Sequence, residues 1–391
     1  MALTLDGTSG IVSSGAISSS SNITATGSIT TQSATGIIFS NSSNQGAAAS
    51  PFGLKNRIIN GDIRIDQRNA GASVTPSTGT YTADRWRAYQ NVASKFTVQQ
   101  VSANANTAQG FDQSLRITSS SAYTPSGSNL FLITQNIEGN NIVDLSWGTA
   151  SAKTVTLSFW VYSSLTGTFG GSLVNGAETL SYPFTYTISS ANTWEQKTIT
   201  VAGPTTGTWD TSTGVGIEVN FGIGAGSTYQ GTAGSWQSGA FFTATGTTNI
   251  VATNGATWQL TGVQLERNTT ATPFEWLPYT TELQLCQRYY WRNAPGGGSI
   301  AVSSGVMYGS TLSLSYTQFP VAMRANPTGS VSAASDFTAV GGASTITPSA
   351  IVFLSSTLSS RVEATLAGAT SGQGMILQSN NSSSWIAFSA E

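Results

Sequence analysis

Ile11, Ile17, Ile23 and Ile29 recur at a spacing of six in a stretch otherwise built almost wholly from Ser, Thr, Gly and Ala. A strand repeats its faces every two residues, so a period of six keeps all four isoleucines on one side, whereas a helix would scatter them. One isoleucine per hexad cannot be covered within a single strand, and neighbouring coils or neighbouring chains must cover it. Each buried isoleucine offers about 1.5–3 kcal/mol. Three chains would close a prism with no open strand edge. The expectation is a homotrimeric fibrous stem over residues 1–50. A disordered Ser/Thr-rich tail, or docking of the same isoleucines on another protein, are the competing readings.

Charged residues make up 8% of the 391-residue chain, against roughly 25% in ordinary soluble domains. With a net charge of -2, nothing points to nucleic acid or an anionic membrane as partner. Sixteen Phe, twelve Tyr and ten Trp supply a core, so Ser, Thr, Asn and Gln must do the work of the surface. Recognition at such a surface depends little on salt. MALTLDGTSG carries neither a basic nor an apolar leader segment, and no apolar run is long enough to span a bilayer. Cys286 is the single cysteine, so no intrachain disulfide forms.

Residues 36–51 turn small and polar and read as a neck. From Phe96 onward short alternating strands follow one another: Phe96–Val101, Ser114–Thr118, Val155–Val161, Gln196–Val201 and Gly216–Phe221. Asn60-Gly61, Asn175-Gly176 and Asn254-Gly255 are dipeptides that accept positive φ in tight turns. The expected fold is all-β: the hexad stem, an antiparallel jelly-roll sandwich over 51–292, and a small distal β-sandwich over 293–391. One helix is expected near Thr280–Tyr290, with Thr280 as N-cap and Cys286 a buried hydrophobe on its inner face.

The chain has no histidine, which removes Ser-His-Asp triads, His-ligated zinc and imidazole acid–base chemistry together. Carboxylate chemistry remains. Asp62 and Asp66 form the tightest acidic pair, but Arg64 stands between them and Arg68 follows. Read as a strand with Ile63 and Ile65 on its other face, this is a charge-compensated ladder rather than a catalytic dyad. Asp84, Arg85 and Arg87 are expected to join it, with Trp86 buried alongside. Gly222–Gly226 lacks the Lys-Ser/Thr of a phosphate loop and reads as a bent strand. No cofactor and no metal are expected. What is left is sugar binding, which needs aromatic faces beside amides or carboxylates. Trp209-Asp210, Tyr229-Gln230 and Trp236-Gln237 lie in Gly/Ser/Thr-rich segments and are the glycan-binding candidates, with burial against another chain as the competing role. Trp160 and Trp194 fall in strand patterns and read as core.

Two stretches carry a family likeness. Asn56-Arg-Ile-Ile-Asn-Gly-Asp-Ile-Arg-Ile-Asp-Gln-Arg-Asn-Ala-Gly71 with Tyr81-Thr-Ala-Asp-Arg-Trp86 resembles the opening of a β-sandwich module of tailed-phage fibre proteins. Leu260-Thr-Gly-Val-Gln-Leu-Glu266, Ala271-Thr-Pro-Phe-Glu275 and Glu282–Tyr290 are similar to its closing signature. The middle, with Leu157–Val161 and Trp194–Val201, looks like the carbohydrate-binding jelly rolls attached to glycoside hydrolases. Leu3–Ile11 resembles the start of phage fibre and tail-attachment chains, and Phe319–Pro327 with Phe388–Glu391 a module that follows this one in phage. The resemblance implies a virion-surface protein, tail fibre or capsid fibre, made in the host cytoplasm. It would attach to host surface glycans without catalysis and join other virion proteins through its N-terminus. A purely structural virion component and a polysaccharide depolymerase are the alternatives.

Overall fold

In the computed structural model the described residues are 37–38, 44–45, 54–103, 110–342 and 344–391. Ile11, Ile17, Ile23 and Ile29 lie outside them. The chain divides into a unit ending at Gly53 and a second unit from Leu54 to Glu391. In the first, β1 (Ile37–Ile38) pairs antiparallel with β2 (Asn44–Gln45).

Among its described residues the second unit is all-β but for one α-helix and short 3-10 turns. Its first part is a jelly-roll sandwich of two antiparallel sheets. The larger has seven strands in the order β14 (Gln237–Ser238), β10 (Leu180–Ile188), β9 (Gly167–Asn175), β12 (Val215–Ala225), β7 (Leu130–Glu138), β4 (Arg87–Gln90) and β3 (Thr80–Tyr81). The smaller has five: β11 (Glu195–Val201), β8 (Val155–Ser163), β16 (Thr257–Glu266), β6 (Gln113–Ser119) and β5 (Phe96–Ser102). Odd-numbered residues of β12 (Ile217, Val219, Phe221, Ile223) and of β8 (Val155, Leu157, Phe159, Val161) enter one core. The period-two pattern that makes these segments strands therefore also faces the two sheets to each other. Phe221 is central, with ring contacts to Trp86, Phe159, Phe184 and Trp258. The same alternation puts Trp160 on the outer side of β8, where it is half-buried, and Trp194 packs half-buried against Tyr162 at 5.6 Å. Neither belongs to the buried core that the sequence suggested for them.

Residues 56–72 correct a second expectation. They form no strand, and Ile63 adopts a positive φ of 59°. Asn60 organises the segment instead. Its side chain accepts from the Ile65 N–H at 3.0 Å and donates to the Ile65 and Asp84 carbonyls at 2.8 and 2.9 Å. Its own carbonyl takes the Trp86 indole N–H at 2.9 Å. Asn60-Gly61 is thus a turn in this loop and not a hairpin tip, and both Ile63 and Ile65 are buried. The expected ladder is reduced to one neighbouring pair, Arg64 on Asp62. Asp66 accepts from the Asn69 and Gly71 N–H groups at 2.9 and 2.8 Å. Arg68 reaches Glu391 at 3.2 Å and lies 3.6 Å over the Tyr290 ring. Asp84 accepts from both the backbone and side-chain amides of Gln67, and burial pushes its carboxyl up to about 7.

Helix α1 (Tyr279–Gln287) begins one residue before the expected cap. Pro278 occupies the N-cap position with no side-chain cap, and its carbonyl receives Thr281 and Glu282 N–H at 3.0 and 3.1 Å. Cys286 is fully buried among Ile59, Ile65 and Tyr289.

The distal part holds its own core around Phe337, Leu377 and Phe388. A three-stranded sheet runs β17 (Tyr290–Asn293), β26 (Ile386–Ser389), β20 (Thr328–Val331). A seven-stranded sheet runs β22 (Ser344–Ile346), β21 (Phe337–Gly341), β25 (Gly374–Ser379), β18 (Ala301–Met307), β19 (Leu312–Gln318), β24 (Ser359–Thr365), β23 (Ala350–Ser355). Charged groups bind this part to the jelly roll. Glu138 accepts from Arg288 at 2.6 and 3.0 Å and from the Tyr289 hydroxyl at 2.7 Å. Those bonds overcome the penalty of burial and hold the Glu138 carboxyl below its usual value. Arg85 sits 3.5 Å over the Tyr289 ring, and Arg324 donates to the Ala390 and Thr213 carbonyls at 2.7 Å each.

Candidate functional site

The even-numbered residues of β12 point away from the sandwich core, and their neighbours across the sheet build a groove. Register places Arg87 opposite Thr134, Thr134 opposite Asn220, and Asn220 opposite Ser172. One transverse polar row thus crosses four strands, β4, β7, β12 and β9. At about 4.8 Å between strands it is roughly 14 Å long. Glu218 stands two residues along β12 and Tyr89 two residues along β4, on the same face.

A crossing segment forms the wall. It contains the parallel pair β13 (Gln230–Gly231) and β15 (Thr243–Ala244) and hangs on the edge strand β10 through β14. Gly170 and Gly222 let it lie flat on the sheet: a Cβ at either would come within 2.5 and 2.8 Å of the Thr243 hydroxyl. Tyr229 and Phe242, with ring centres 5.6 Å apart, pack there on Leu130, Leu132, Val174 and Ala225, with Tyr89 against the same cluster. The cavity between this wall and the polar row measures about 120 Å³ and is lined also by Arg87, Glu178, Glu218 and Asn220.

Its polar atoms are incompletely satisfied. Thr134 Oγ1 and Asn220 Oδ1 are buried and accept or donate no hydrogen bond, while the Asn220 amide makes a long bond of 3.4 Å to the Ser172 hydroxyl and also bonds the Glu218 carboxyl. A buried polar group left unpaired costs about 1–3 kcal/mol. Burial, reinforced by the Glu178 carboxylate and opposed by Arg87, pushes Glu218 up to about 7. The groove therefore offers aromatic and aliphatic surface on one side. On the other it offers a guanidinium, a hydroxyl and an amide in a row with a carboxyl beside them, the complement of a polyhydroxylated ring.

The candidates from the sequence separate into two places. Tyr229 is half-buried on the groove wall. Gln230 beside it spends its amide on the Ala225 carbonyl at 2.7 Å. Trp209 and Trp236 come together elsewhere, with Trp147 and Tyr182. Trp147 lies 4.7 Å from Trp209 and 5.5 Å from Trp236, and Trp236 lies 5.3 Å from Tyr182. All three indole N–H groups donate to loop carbonyls, Trp236 to Ala202 at 2.8 Å, Trp209 to Thr206 at 3.2 Å and Trp147 to Lys153 at 2.8 Å. Trp209 is buried and Trp236 half-buried, so their loops are stapled by packing, contrary to the free loop aromatics expected. Asp210 accepts from the Ser212 hydroxyl and N–H at 2.7 and 2.6 Å, which lowers its pKa and caps its own turn. Gln237 bonds back to Thr232 at both ends of its amide.

Sequence reasoning missed Arg87, Tyr89, Thr134, Glu178, Glu218 and Asn220. The signal present was the alternation Gly216-Ile-Glu-Val-Asn-Phe221, which assigns Glu218 and Asn220 to one face without saying what they face.

No protein-family model matches the chain, and no curated protein matches it. Solved structures match about half of it. One is a tailspike protein's enzymatically active domain from bacteriophage CBA120, at 14% identity and TM-score 0.27, covering 46% of this chain and 19% of that one. Another is a family 11 carbohydrate-binding module of Clostridium thermocellum in complex with a β-1,3-1,4-mixed-linked tetrasaccharide, at 9% identity and TM-score 0.26, covering 51% and 98%. A third is an endo-1,4-β-D-xylanase of the same organism complexed with xylohexaose, at 12% identity and TM-score 0.26, covering 56% and 31%. At TM-scores this low, the functional reading rests on the groove's own residues.

Proposed function

We propose that this chain is a non-catalytic glycan-binding component of a tailed-phage particle, a homotrimeric fibre at the virion surface that attaches it to host polysaccharide. The carrying observation is the groove on the seven-stranded sheet, where the unpaired Thr134 hydroxyl and Asn220 carbonyl face the Tyr89, Tyr229 and Phe242 side. A sugar hydroxyl would satisfy those two atoms, and the apolar side of its ring would lie on the aromatics. The phage setting is supported by the opening and closing signatures at residues 56–86 and 260–290 and by the low charge. Several weak sites per fibre and several fibres per particle would raise avidity without further contacts.

Binding of the purified full chain to host surface polysaccharide, followed by calorimetry, tests the reading. Asn220→Ala and Tyr89→Ala are each expected to weaken binding at least about tenfold, equivalent to about 1.4 kcal/mol, with melting temperature little changed. Binding retained in both variants overturns the groove as the site. Steady release of reducing ends above a heat-killed control overturns the non-catalytic assignment.

A further inference from the structure

The distal seven-stranded sheet carries two outward rows that mix apolar residues with few charges. Its inner residues, among them Leu377, Val362 and Ala364, are buried in the distal core. Outward, register lines up Val340, Ile376, Ser304, Tyr316, Arg361 and Leu354 across six strands. The next outward row runs Gly374, Val306, Leu314, Glu363 and Val352. Tyr316 is 59% exposed, Val352 52%, Leu354 48% and Ile376 37%. An antiparallel sheet with one solvated face ordinarily carries polar residues there. The only charges in these two rows are Arg361 and Glu363, which pair with each other at 2.5 Å.

We propose that this face packs on the same face of a second copy of the chain in a two-fold contact, separate from the threefold association of the fibre. Two properties select that occupant. Six strands about 4.8 Å apart and about six residues long cover on the order of 600 Å², which approaches the roughly 800 Å² per partner of a standard stable interface. The charge pattern is also self-complementary. One arginine and one glutamate side by side sum to zero, so a second identical face can set its Glu363 against Arg361 with no charge left over, whereas an acidic or basic partner finds no opposite field. The inference does not depend on sugar binding, because the groove lies on a different sheet.

Cross-linking decides it. Cys286 is fully buried, so a cysteine introduced on the surface is the accessible thiol. Ser304→Cys and Ile376→Cys, each in the full chain at micromolar concentration, are expected to form interchain disulfides under mild oxidation at least about tenfold faster than Thr198→Cys, an exposed position on the outer side of β11. Light scattering of Tyr316→Lys combined with Ile376→Lys is expected to show a smaller particle or a raised dissociation constant. Cross-linking at both face positions no faster than at Thr198→Cys overturns the proposal. So does a parent chain that scatters as a monomer.

Discussion

The two seven-stranded sheets each keep one face for a core and leave one for something else, and the two outer faces are opposites. On the jelly roll that face is overlaid by a crossing segment, and the recess between them is lined by buried polar atoms whose partners are missing. On the distal part it is uncovered over six strands, mixes apolar residues with few charges, and its two charges already satisfy each other. A recessed face with unpaired donors and acceptors suits a small polyhydroxylated ligand. An uncovered face with paired charges suits another protein surface. Strand alternation alone therefore does not tell what an outward residue does; satisfaction of its polar atoms does.

The largest effects should come from the cores behind the two faces. Phe221→Ala and Phe388→Ala each remove a fully buried ring with several aromatic neighbours, and each is expected to lower unfolding free energy by about 3–5 kcal/mol in urea titration. They part company in function. Phe221 lies between Asn220 of the polar row and Gly222, on which the crossing segment rests, so its loss should weaken polysaccharide binding, while Phe388→Ala should leave binding within twofold. Equal loss of binding in both would mean the two parts are coupled more tightly than separate cores suggest.

A middle-sized effect separates the two aromatic clusters. Trp236→Ala is expected to cost about 1–3 kcal/mol of stability, because its ring and indole N–H staple a loop, with polysaccharide affinity unchanged. Tyr229→Ala should do the reverse. Adsorption assays beside thermal melts read both at once, and a Trp236→Ala variant that melts normally but fails to bind would move the site to the tryptophan cluster.

A separate test is in pH. Glu218 and Asp84 both have folded-state values raised to about 7, from ordinary values of 4.5 and 3.8. The folded chain therefore holds these protons more tightly than the unfolded one. Their contribution is fully present below about pH 4 and is lost as pH rises toward 7, at up to about 1.4 kcal/mol per group per pH unit. Glu218→Gln should flatten part of that decline between pH 5 and 7. An unchanged slope would mean that Glu218 stays charged in the folded chain.

The strands were readable because their apolar residues alternate, over seven positions in Val155–Val161 and Ile217–Ile223, and Phe96–Ser102, Val155–Ser163 and Val215–Ala225 stand within a few residues of where the pattern put them. Ile63 and Ile65 alternate too, and there the reading failed. Partners far along the chain hold that segment: Glu282 on the Asn60 N–H, Gln135 on Ile59 at 2.8 Å and Gln100 on the Ile63 carbonyl at 2.6 Å. A two-residue period cannot reveal contacts made across 37 to 222 positions. The groove was hidden for a related reason. Arg87, Thr134, Asn220 and Ser172 come from strands that meet only through sheet order, and each alone looks like an ordinary outward polar residue. Tyr229 stood out because an aromatic in a glycine-rich loop is unusual wherever it ends up.

The crossing segment over Gly170 and Gly222 has a consequence for how such a chain can change. It is pinned to the edge strand through Ser181, whose hydroxyl donates to the Gly239 carbonyl at 2.8 Å, and through the Gln237–Ser238 pairing. It takes no position in the central ladders of β9, β12 and β7. Residues at its tip can therefore be exchanged, lengthened or shortened while every central backbone pair stays as it is. The polar row would remain a constant floor and the wall would become the variable part, so a lineage carrying this fold could meet a new ligand by editing this segment and refolding nothing else.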